Sequence, residues 1–373
     1  MDDDLRRAKA YSRSKHYAAL TEMLVSLGFF IFIIYGGFSA YVAGIINRVV
    51  SNGYLGVMLY VCALGALLSI LTFPLDLISS YSIEHKFGLS KQNLINWLKD
   101  YLKKLAIGAI LYSIVVIMLY ALLRNTPRMW WVCAGLGYFI LSVVLAKIFP
   151  VLIIPLFYKL DEIQDESLKE RILRLAKSVG ANVLDVYRIV LGAKTKKANA
   201  AVCGLGSTKR ILLSDTLIQQ YDADEIEATL AHELSHHKFN HFWKLSLYNF
   251  IFTLSGFFLA NVYMQRILLS GRVDKLYDFT MLPILGLIFF LYNFMVSPIM
   301  NLISRKYEIQ ADIEAINITQ KPSVFASLMK KLTLQNLSDP DPSPLIKILF
   351  YDHPTAKERI GLCGVMEKKF TKS

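Results

Sequence analysis

The chain has 373 residues, of which 54% are hydrophobic, and its mean hydropathy is +0.42. These values exclude an ordinary soluble domain and predict a membrane protein. The formal net charge of +12 raises the question of nucleic-acid binding, but the aromatic residues that would stack on bases lie largely in apolar runs. We therefore exclude nucleic acid as a partner and interpret the basic residues as charges that flank membrane spans.

Six apolar runs are long enough to cross a bilayer as helices, since one crossing takes about 20 residues. They cover residues 20–46, 54–78, 105–123, 130–152, 243–265 and 279–303. The first run follows an acidic and then basic start and is too long for the apolar core of a signal peptide. We therefore expect no separate cleavable signal.

Lysine and arginine are distributed unevenly among the loops. They cluster before the first run and between the second and third runs, at Arg6, Arg7, Lys9, Arg13, Lys15, Lys86, Lys91, Lys99, Lys103 and Lys104. The alternate loops carry at most three each. Because cytoplasmic loops hold the excess of positive charge, we predict that both termini and residues 157–241 face the cytoplasm. This topology fits a bacterial inner membrane or the endoplasmic reticulum.

The only substantial soluble insert lies between the fourth and fifth runs. Residues 167–179 place apolar side chains at helical spacing and precede Gly180, which predicts an amphipathic helix. Residues 185–191, 199–203 and 210–214 predict short strands of a small antiparallel sheet. Asp222 and Glu225 then have the spacing of a capping box, which starts a helix that runs on toward the fifth span.

This last helix contains the motif His232-Glu233-Leu234-Ser235-His236. Histidines four residues apart lie over one another on a helix, so both imidazoles can reach a single Zn²⁺. Glu233 lies one position off that face, where a carboxylate can hold the attacking water and accept its proton. His237 and His241 lie off the shared face, and we interpret them as solvated or membrane-interface residues.

Zinc needs a third protein ligand while a fourth position stays open for water. The metzincin spacing is excluded because Phe239 and Phe242 stand where it requires glycine and histidine. Glu308 and Asp312, just after the sixth run, are four residues apart on one predicted helix. One of them can bind zinc while the other orients a ligand histidine. Two spans separate His236 from Glu308, so the predicted topology returns both to the same side.

Further segments have the sequences IEHKFGL at 83–89, IPLF at 154–157, KANA at 197–200, KRILLSDTL at 209–217, SRKYEIQAD at 304–312 and HPTAKER at 353–359. In this order, together with the zinc helix, they resemble the CAAX prenyl endopeptidases, a family of integral-membrane zinc proteases of the gluzincin type. The resemblance extends over nearly the whole chain. It is far more specific than the zinc motif alone.

The resemblance implies a mainly α fold, namely a polytopic transmembrane helical barrel around a water-filled chamber. A cytoplasmic α+β zinc metalloprotease domain of gluzincin type would sit at one end. We divide the chain into an N-terminal membrane region of about four helices (1–157), a soluble α/β insert that ends in the zinc helix (158–242), two further transmembrane helices (243–303) and a C-terminal catalytic segment with the third zinc ligand (304–373).

The resemblance also assigns roles to individual residues. It implies one zinc ion bound by His232, His236 and Glu308, water activation by Glu233, support of a ligand histidine by Asp312, substrate backbone pairing at Asn199 and Ala200, and stabilisation of the developing oxyanion or positioning of substrate by His353 and Arg359. An edge strand holds a peptide extended through main-chain hydrogen bonds, and cationic donors act where charge develops on the carbonyl.

The implied function is an integral-membrane zinc metalloendopeptidase that cuts peptides or proteins near the C-terminus, with prenylated or other membrane-associated chains as substrates and the bilayer as a partner. Two alternatives remain. A quality-control metalloprotease of the heat-shock type would use the same zinc site, although it usually has fewer spans before the motif. A lipid-binding or chaperone-like protein with a decayed site would be no enzyme, although every catalytic position here holds a competent residue.

The chain departs from the family pattern in three places. Family members commonly carry an additional N-terminal span, so six spans are expected here instead of seven. Ala201 replaces an aromatic residue that is usual after Asn199-Ala200, and His237 replaces a frequent tryptophan. These changes leave the chemistry intact and leave the substrate preference open.

Overall fold

The computed structural model describes residues 2–181 and 183–371, so the outermost residues of the predicted regions 1–157 and 304–373 lie outside it. Most of the described chain is helical. The helices are α1 (Asp2–Tyr35), α2 (Phe38–Val49), α3 (Gly53–Leu77), α4 (Ile83–Lys86), α5 (Leu94–Asn125), α6 (Trp130–Ile148), α7 (Ile154–Phe157), α8 (Glu166–Ser178), α9 (Asp215–Gln220), α10 (Ala223–Lys238), α11 (His241–Leu269), α12 (Met281–Thr319), α13 (Pro322–Asn336), α14 (Pro344–Phe350) and α15 (Ala356–Phe370). Turns of π-helix, Ile78–Ser82 and Phe149–Ile153, join α3 to α4 and α6 to α7.

Six helical segments of the described chain are long and apolar enough to cross a membrane, as the sequence predicts. They are Asp3–Tyr35, Gly53–Lys86, Leu94–Asn125, Trp130–Phe157, His241–Leu269 and Met281–Thr319. The last of these continues well past the apolar run. The predicted boundary between residues 303 and 304 therefore falls inside α12, which carries Glu308 and Asp312 on the same helix as the sixth span.

The prediction of one continuous first span over residues 20–46 is wrong. The helix ends at Tyr35, and Gly37 adopts a left-handed conformation with φ 73° before α2 begins at Phe38. Glycine tolerates this conformation because it has no Cβ, whereas hydropathy does not register a turn made of apolar residues. The candidate span also starts earlier, at Asp3, because α1 continues through the basic segment and buries Ala8 and Tyr11 there.

The sheet contains four strands, β1 (Leu160–Glu162), β2 (Val186–Ile189), β3 (Ala200–Cys203) and β4 (Arg210–Ser214), in the order β1-β2-β4-β3. Pairs β1–β2 and β3–β4 are antiparallel, whereas β2–β4 is parallel. The prediction of an antiparallel sheet is therefore wrong. The alternation of side chains does not reveal the direction of a strand. Strand β1, with three residues, is too short to show any alternation. Strand β3 forms one edge of the sheet.

The helix with the metal motif is held between the sheet and the C-terminal helices. Leu230 and Leu234 of α10 are fully buried in one apolar core with Ile211 and Leu213 of β4 and with Phe325 of α13. This packing fixes which face of α10 turns toward α12.

The predicted capping box at the start of α10 is present. The Asp222 side chain accepts from the Glu225 N–H at 2.9 Å, and the Glu225 carboxylate accepts from the Asp222 N–H at 3.2 Å. Such a cap stabilises a helix by about 1 kcal/mol. At its other end α10 stops at Lys238, and Asn240 adopts a left-handed φ of 55° before α11 begins. The metal helix thus approaches the fifth span through a turn and not as one continuous helix.

Candidate metal centre

The two histidines of the motif lie one turn apart on α10, and their Nε2 atoms are 3.3 Å from each other. His232 is buried, whereas His236 is partly exposed. Both rings point toward α12, because the opposite side of α10 packs into the apolar core. The helical spacing therefore brings the Nε2 atoms of both imidazoles close to one point beside α12, as the sequence predicts.

Glu308 of α12 completes a three-residue cluster. Its Oε2 lies 3.2 Å from His232 Nε2, and its Oε1 lies 3.2 Å from His236 Nε2. In the described part of the chain, this is the one group of three or more His, Cys, Asp or Glu residues whose ligand atoms all approach within 4.8 Å. The donor set of two imidazoles and a carboxylate can hold a metal ion.

The protonation of His232 explains why the cluster favours a cation. His232 Nδ1 donates to Asp312 Oδ1 at 2.8 Å, so the neutral ring presents a lone pair at Nε2. This lone pair faces Glu308 Oε2, a buried oxygen that has no hydrogen-bond partner of its own. Burial lowers the pKa of His232, but the Asp312 and Glu308 carboxylates on either side of the ring outweigh it and raise the pKa to about 9. The surroundings thus stabilise positive charge between the two acceptors.

Asp312 binds His232 at Nδ1, the ring nitrogen that does not face Glu308. Its side chain is fully buried, and it accepts from Arg359 Nε at 2.8 Å as well as from the Arg359 terminal nitrogen. This bidentate contact orients the Asp312 carboxylate, and the carboxylate in turn orients the His232 ring. The structure therefore places Arg359 on Asp312, where it also lines a cavity of about 580 Å³ in front of the cluster.

His353 lies at the open side of the same cavity. Its Nε2 is 3.4 Å from Glu308 Oε2, its Nδ1 is 2.7 Å from Asp352 Oδ1, and its side chain is 53% exposed. The hydrogen bond with Asp352 raises the pKa of His353, and the nearby Glu308 carboxylate acts in the same direction against the effect of burial. His353 thus offers a cationic donor beside the cluster and within reach of solvent.

Glu233 stands between two cavities. It lines the 580 Å³ cavity and a second cavity of about 440 Å³ on the other side, which His236 also lines. Asn199 and Ala200 also line the first cavity. Asn199 immediately precedes β3, and Ala200 begins it. The structure therefore brings the predicted water-activating carboxylate and the predicted substrate strand to the same cleft.

His241 is a residue whose environment the sequence interpretation missed. It is 1% exposed, its Nδ1 lies 3.0 Å from His236 Nδ1, and its Nε2 lies 3.1 Å from Gln310 Oε1. Because Gln310 Oε1 only accepts, His241 Nε2 carries the proton and its Nδ1 accepts from His236 Nδ1–H. This leaves the His236 Nε2 lone pair for a metal. The left-handed turn at Asn240 creates the contact, and helical spacing alone does not indicate it.

We expect His241→Ala to weaken metal binding by about 10- to 100-fold, because such supporting hydrogen bonds hold a ligand in its orientation and tautomer. A chelator competition titration measures the affinity. His237→Ala is the matched control, since His237 lies beside Lys209 at 3.0 Å and outside the cluster. Equal affinities of the His241 variant and the unsubstituted protein would show that the contact has no supporting role.

Comparisons with known proteins cover both the N-terminal membrane helices and the metal helix. Residues 1–159 match the family described as CAAX prenyl protease N-terminal, five membrane helices, and residues 162–362 match Peptidase family M48. A CAAX prenyl protease 1 homolog of Arabidopsis thaliana is 31% identical over 303 residues, which cover 79% of this chain and 70% of that protein. An uncharacterized metalloprotease of Bacillus subtilis is 28% identical over 96% of this chain and 84% of its own length.

The fold also matches a solved structure. The crystal structure of S. mikatae Ste24p aligns with a TM-score of 0.87 at 24% identity, covering 97% of this chain and 89% of that chain. At this identity the likeness concerns the fold alone. Together the matches favour neither a quality-control protease of the heat-shock type nor a protein without enzymatic activity.

Proposed function

The chain belongs to peptidase family M48 and is an integral-membrane metalloendopeptidase of the CAAX prenyl protease kind, and we propose that it binds zinc at His232, His236 and Glu308 and cuts prenylated chains near their C-terminus. The observation that carries the proposal is the buried Glu308 Oε2, which lacks a hydrogen-bond partner and faces the lone pair of His232. A divalent cation supplies what both atoms lack.

Zinc fits this donor set. Two imidazoles and one carboxylate form a frequent ligand set of catalytic zinc, which leaves the fourth position open. Bonds of about 2.0–2.1 Å in a tetrahedral arrangement would separate neighbouring ligand atoms by roughly 3.3 Å. Here His232 Nε2 lies 3.3 Å from His236 Nε2 and 3.2 Å from Glu308 Oε2. Zinc when bound lowers the pKa of water to about 7 and polarises a carbonyl.

The chain's own residues supply the proton transfers. Glu233 accepts a proton from the attacking water as the oxygen adds to the peptide carbon, and it then delivers a proton to the amine that leaves when the C–N bond breaks. His353, with its raised pKa, donates to the carbonyl oxygen on which negative charge develops. Asp312 and Arg359 keep the His232 ring in one tautomer and orientation.

The edge strand provides the substrate site in this proposal. Ala200 opens β3 beside the cavity that contains Glu233, so an extended peptide that adds to this edge passes the cluster. A lipidated residue can leave its hydrocarbon chain in or near the bilayer while the peptide backbone pairs with the strand. Prenylation therefore increases the local concentration of substrate and orients it.

The test uses purified protein with farnesylated and unmodified CAAX peptides, and mass spectrometry locates each cut. We expect cleavage of the farnesylated peptide between the modified cysteine and the next residue. Phenanthroline should inhibit it, and added zinc should restore it. If unmodified segments of membrane proteins are cut equally well or better, the quality-control function replaces this one while the zinc chemistry stands.

We further propose that both chain ends and the metal cluster face the cytoplasm. The excess of lysine and arginine before the first span and between the second and third spans supports this orientation. A reporter inserted near Thr195 and another fused after Ser373 should therefore give the same cytoplasmic signal. A reporter inserted near Arg272 should give the opposite one, and any other pattern would contradict the topology.

A further inference from the structure

Strand β3 offers a short main-chain edge to an incoming peptide. The Ser214 N–H donates to the Asn199 C=O at 2.9 Å, so the main chain of Asn199 faces β4. Because successive residues of a strand direct these groups to alternate sides, Ala200 and Val202 turn theirs away from β4. Within residues 2–181 and 183–371, no other strand pairs with that side of β3. Two residues are therefore open for pairing.

The edge is closed immediately before Ala200. The Ala198 N–H donates to Asn336 Oδ1 at 3.1 Å, and Asn336 Nδ2 donates to the Ala198 C=O at 3.3 Å. The Asn336 amide thus occupies both groups that a neighbouring strand would use. At Lys196, two residues earlier, the C=O accepts from the Gln335 side chain at 2.7 Å. A peptide that pairs at Ala200 cannot continue the ladder past this point.

A cluster of charges lies where the edge closes. Lys15 of α1 and Lys197 of the loop before β3 both contact the Glu84 carboxylate of α4, at 3.2 and 3.0 Å. Tyr11 donates to the same carboxylate at 2.6 Å. Two ammonium groups against one carboxylate leave the cluster with one net positive charge. Lys15 lines the cavity in front of the metal cluster, and both lysines line an adjoining cavity of about 930 Å³.

Both lysines keep donor capacity. Lys15 donates to Glu84 and to the Ser79 C=O at 2.9 Å, and Lys197 donates to Glu84 and to the Tyr11 hydroxyl at 2.8 Å. An ammonium group has three N–H donors, so each lysine has one left. The side chains are 35% and 33% exposed. Two ammonium groups that line one cavity and carry net positive charge match a carboxylate.

The two ends of β3 differ in chemistry, and this sets the direction of the peptide. The Cys203 end opens to the 440 Å³ cavity, where Phe149, Phe242 and Trp243 form apolar walls next to candidate spans. A lipidated residue fits there, so the peptide runs antiparallel to β3, with its C-terminus toward Lys197. Three extended residues cover roughly 10 Å, and Lys197 is three residues before Ala200.

We propose that Lys15 and Lys197 form a subsite for the free α-carboxylate of the substrate's last residue, with Asn336 ending the pairing edge so that only a short C-terminal segment fits beyond the cut. The proposal rests on the function proposed above, in which cleavage after the modified cysteine releases three residues. It explains how a cleft on a membrane protein selects chain ends over internal segments.

The test compares two farnesylated peptides of identical sequence, one ending in a carboxylate and one in a carboxamide. For the unsubstituted protein we expect kcat/KM to be about tenfold or more higher for the carboxylate, because the amide loses the charge-assisted hydrogen bonds. Combined Lys15→Met and Lys197→Met should bring the ratio near one by slowing carboxylate cleavage. Lys196→Met is the matched control, because this exposed neighbour lines neither of the two cavities, and it should keep the ratio.

Each other outcome is informative. A ratio near one in the unsubstituted protein overturns the subsite while the peptidase function stands. A double variant that loses both activities equally and keeps the ratio shows that the lysines act only in structure, which also overturns the proposal. If the variant does not fold, inhibition of the unsubstituted protein by the released tripeptide decides, since the acid should inhibit more strongly than its amide. Failure to cut either peptide contradicts the proposed function itself.

Discussion

Glu233→Gln should retain its metal and lose the peptidase rate by about 100- to 10,000-fold, which is the usual contribution of a positioned general base. The amide has nearly the volume of the carboxylate but cannot accept the proton of the attacking water. The three atoms of the metal cluster belong to other residues, so the cluster remains complete. Turnover of the farnesylated peptide and zinc content per protein, measured on the same preparation, are the two readouts.

Glu227→Gln is the matched control for this substitution. Glu227 lies on the same helix, and its carboxylate binds Arg171 away from the cluster. This variant should keep both zinc and activity. Near-normal turnover of Glu233→Gln at equal zinc content would contradict the proposed mechanism. Loss of zinc would show that Glu233 supports the site in a way that the cluster geometry does not explain.

Local periodicity accounts for what the sequence predicts well. The spacing of His232 and His236 places both rings on one helix face, and Asp222 with Glu225 identifies the start of that helix. The six spans follow from the length of the apolar runs. Each of these inferences depends on residues within a few helical turns of each other, where elementary geometry applies.

Features that depend on turns or on distant contacts do not follow from such patterns. The break between α1 and α2 depends on the left-handed conformation of Gly37, and the contact of His241 with His236 depends on that of Asn240. The Asn336 contact that closes the β3 edge joins residues 138 positions apart. Strand direction in the sheet likewise depends on how β4 inserts between β2 and β3. In each case tertiary packing selects among conformations that the local sequence permits.

Glu308 illustrates an intermediate case. A carboxylate helix after the sixth span offers two candidates, and helical spacing alone does not say which one binds the metal. The structure distinguishes their surroundings: Asp312 binds His232 Nδ1 and Arg359, whereas Glu308 directs both oxygens toward the two Nε2 atoms. The partners of Asp312 thus leave Glu308 as the carboxylate available to an ion.

Glu308→Ala should therefore remove bound zinc, with a loss of affinity larger than the 10- to 100-fold that follows from removing a supporting residue. The variant keeps the two imidazoles of the cluster but loses its only carboxylate. Elemental analysis after dialysis measures the metal. Glu314→Ala is the control on the same helix, because Glu314 binds Lys238 at 2.6 Å and lies outside the cluster.

Full metal occupancy in Glu308→Ala would show that the third ligand is misassigned. The comparison with Glu233→Gln then separates the two carboxylates by their effects. If Glu308 binds the ion and Glu233 moves the proton, the first substitution lowers metal content and activity together, and excess zinc restores part of both. The second lowers activity alone, and no concentration of zinc restores it, because the missing proton acceptor belongs to the chain and not to the metal.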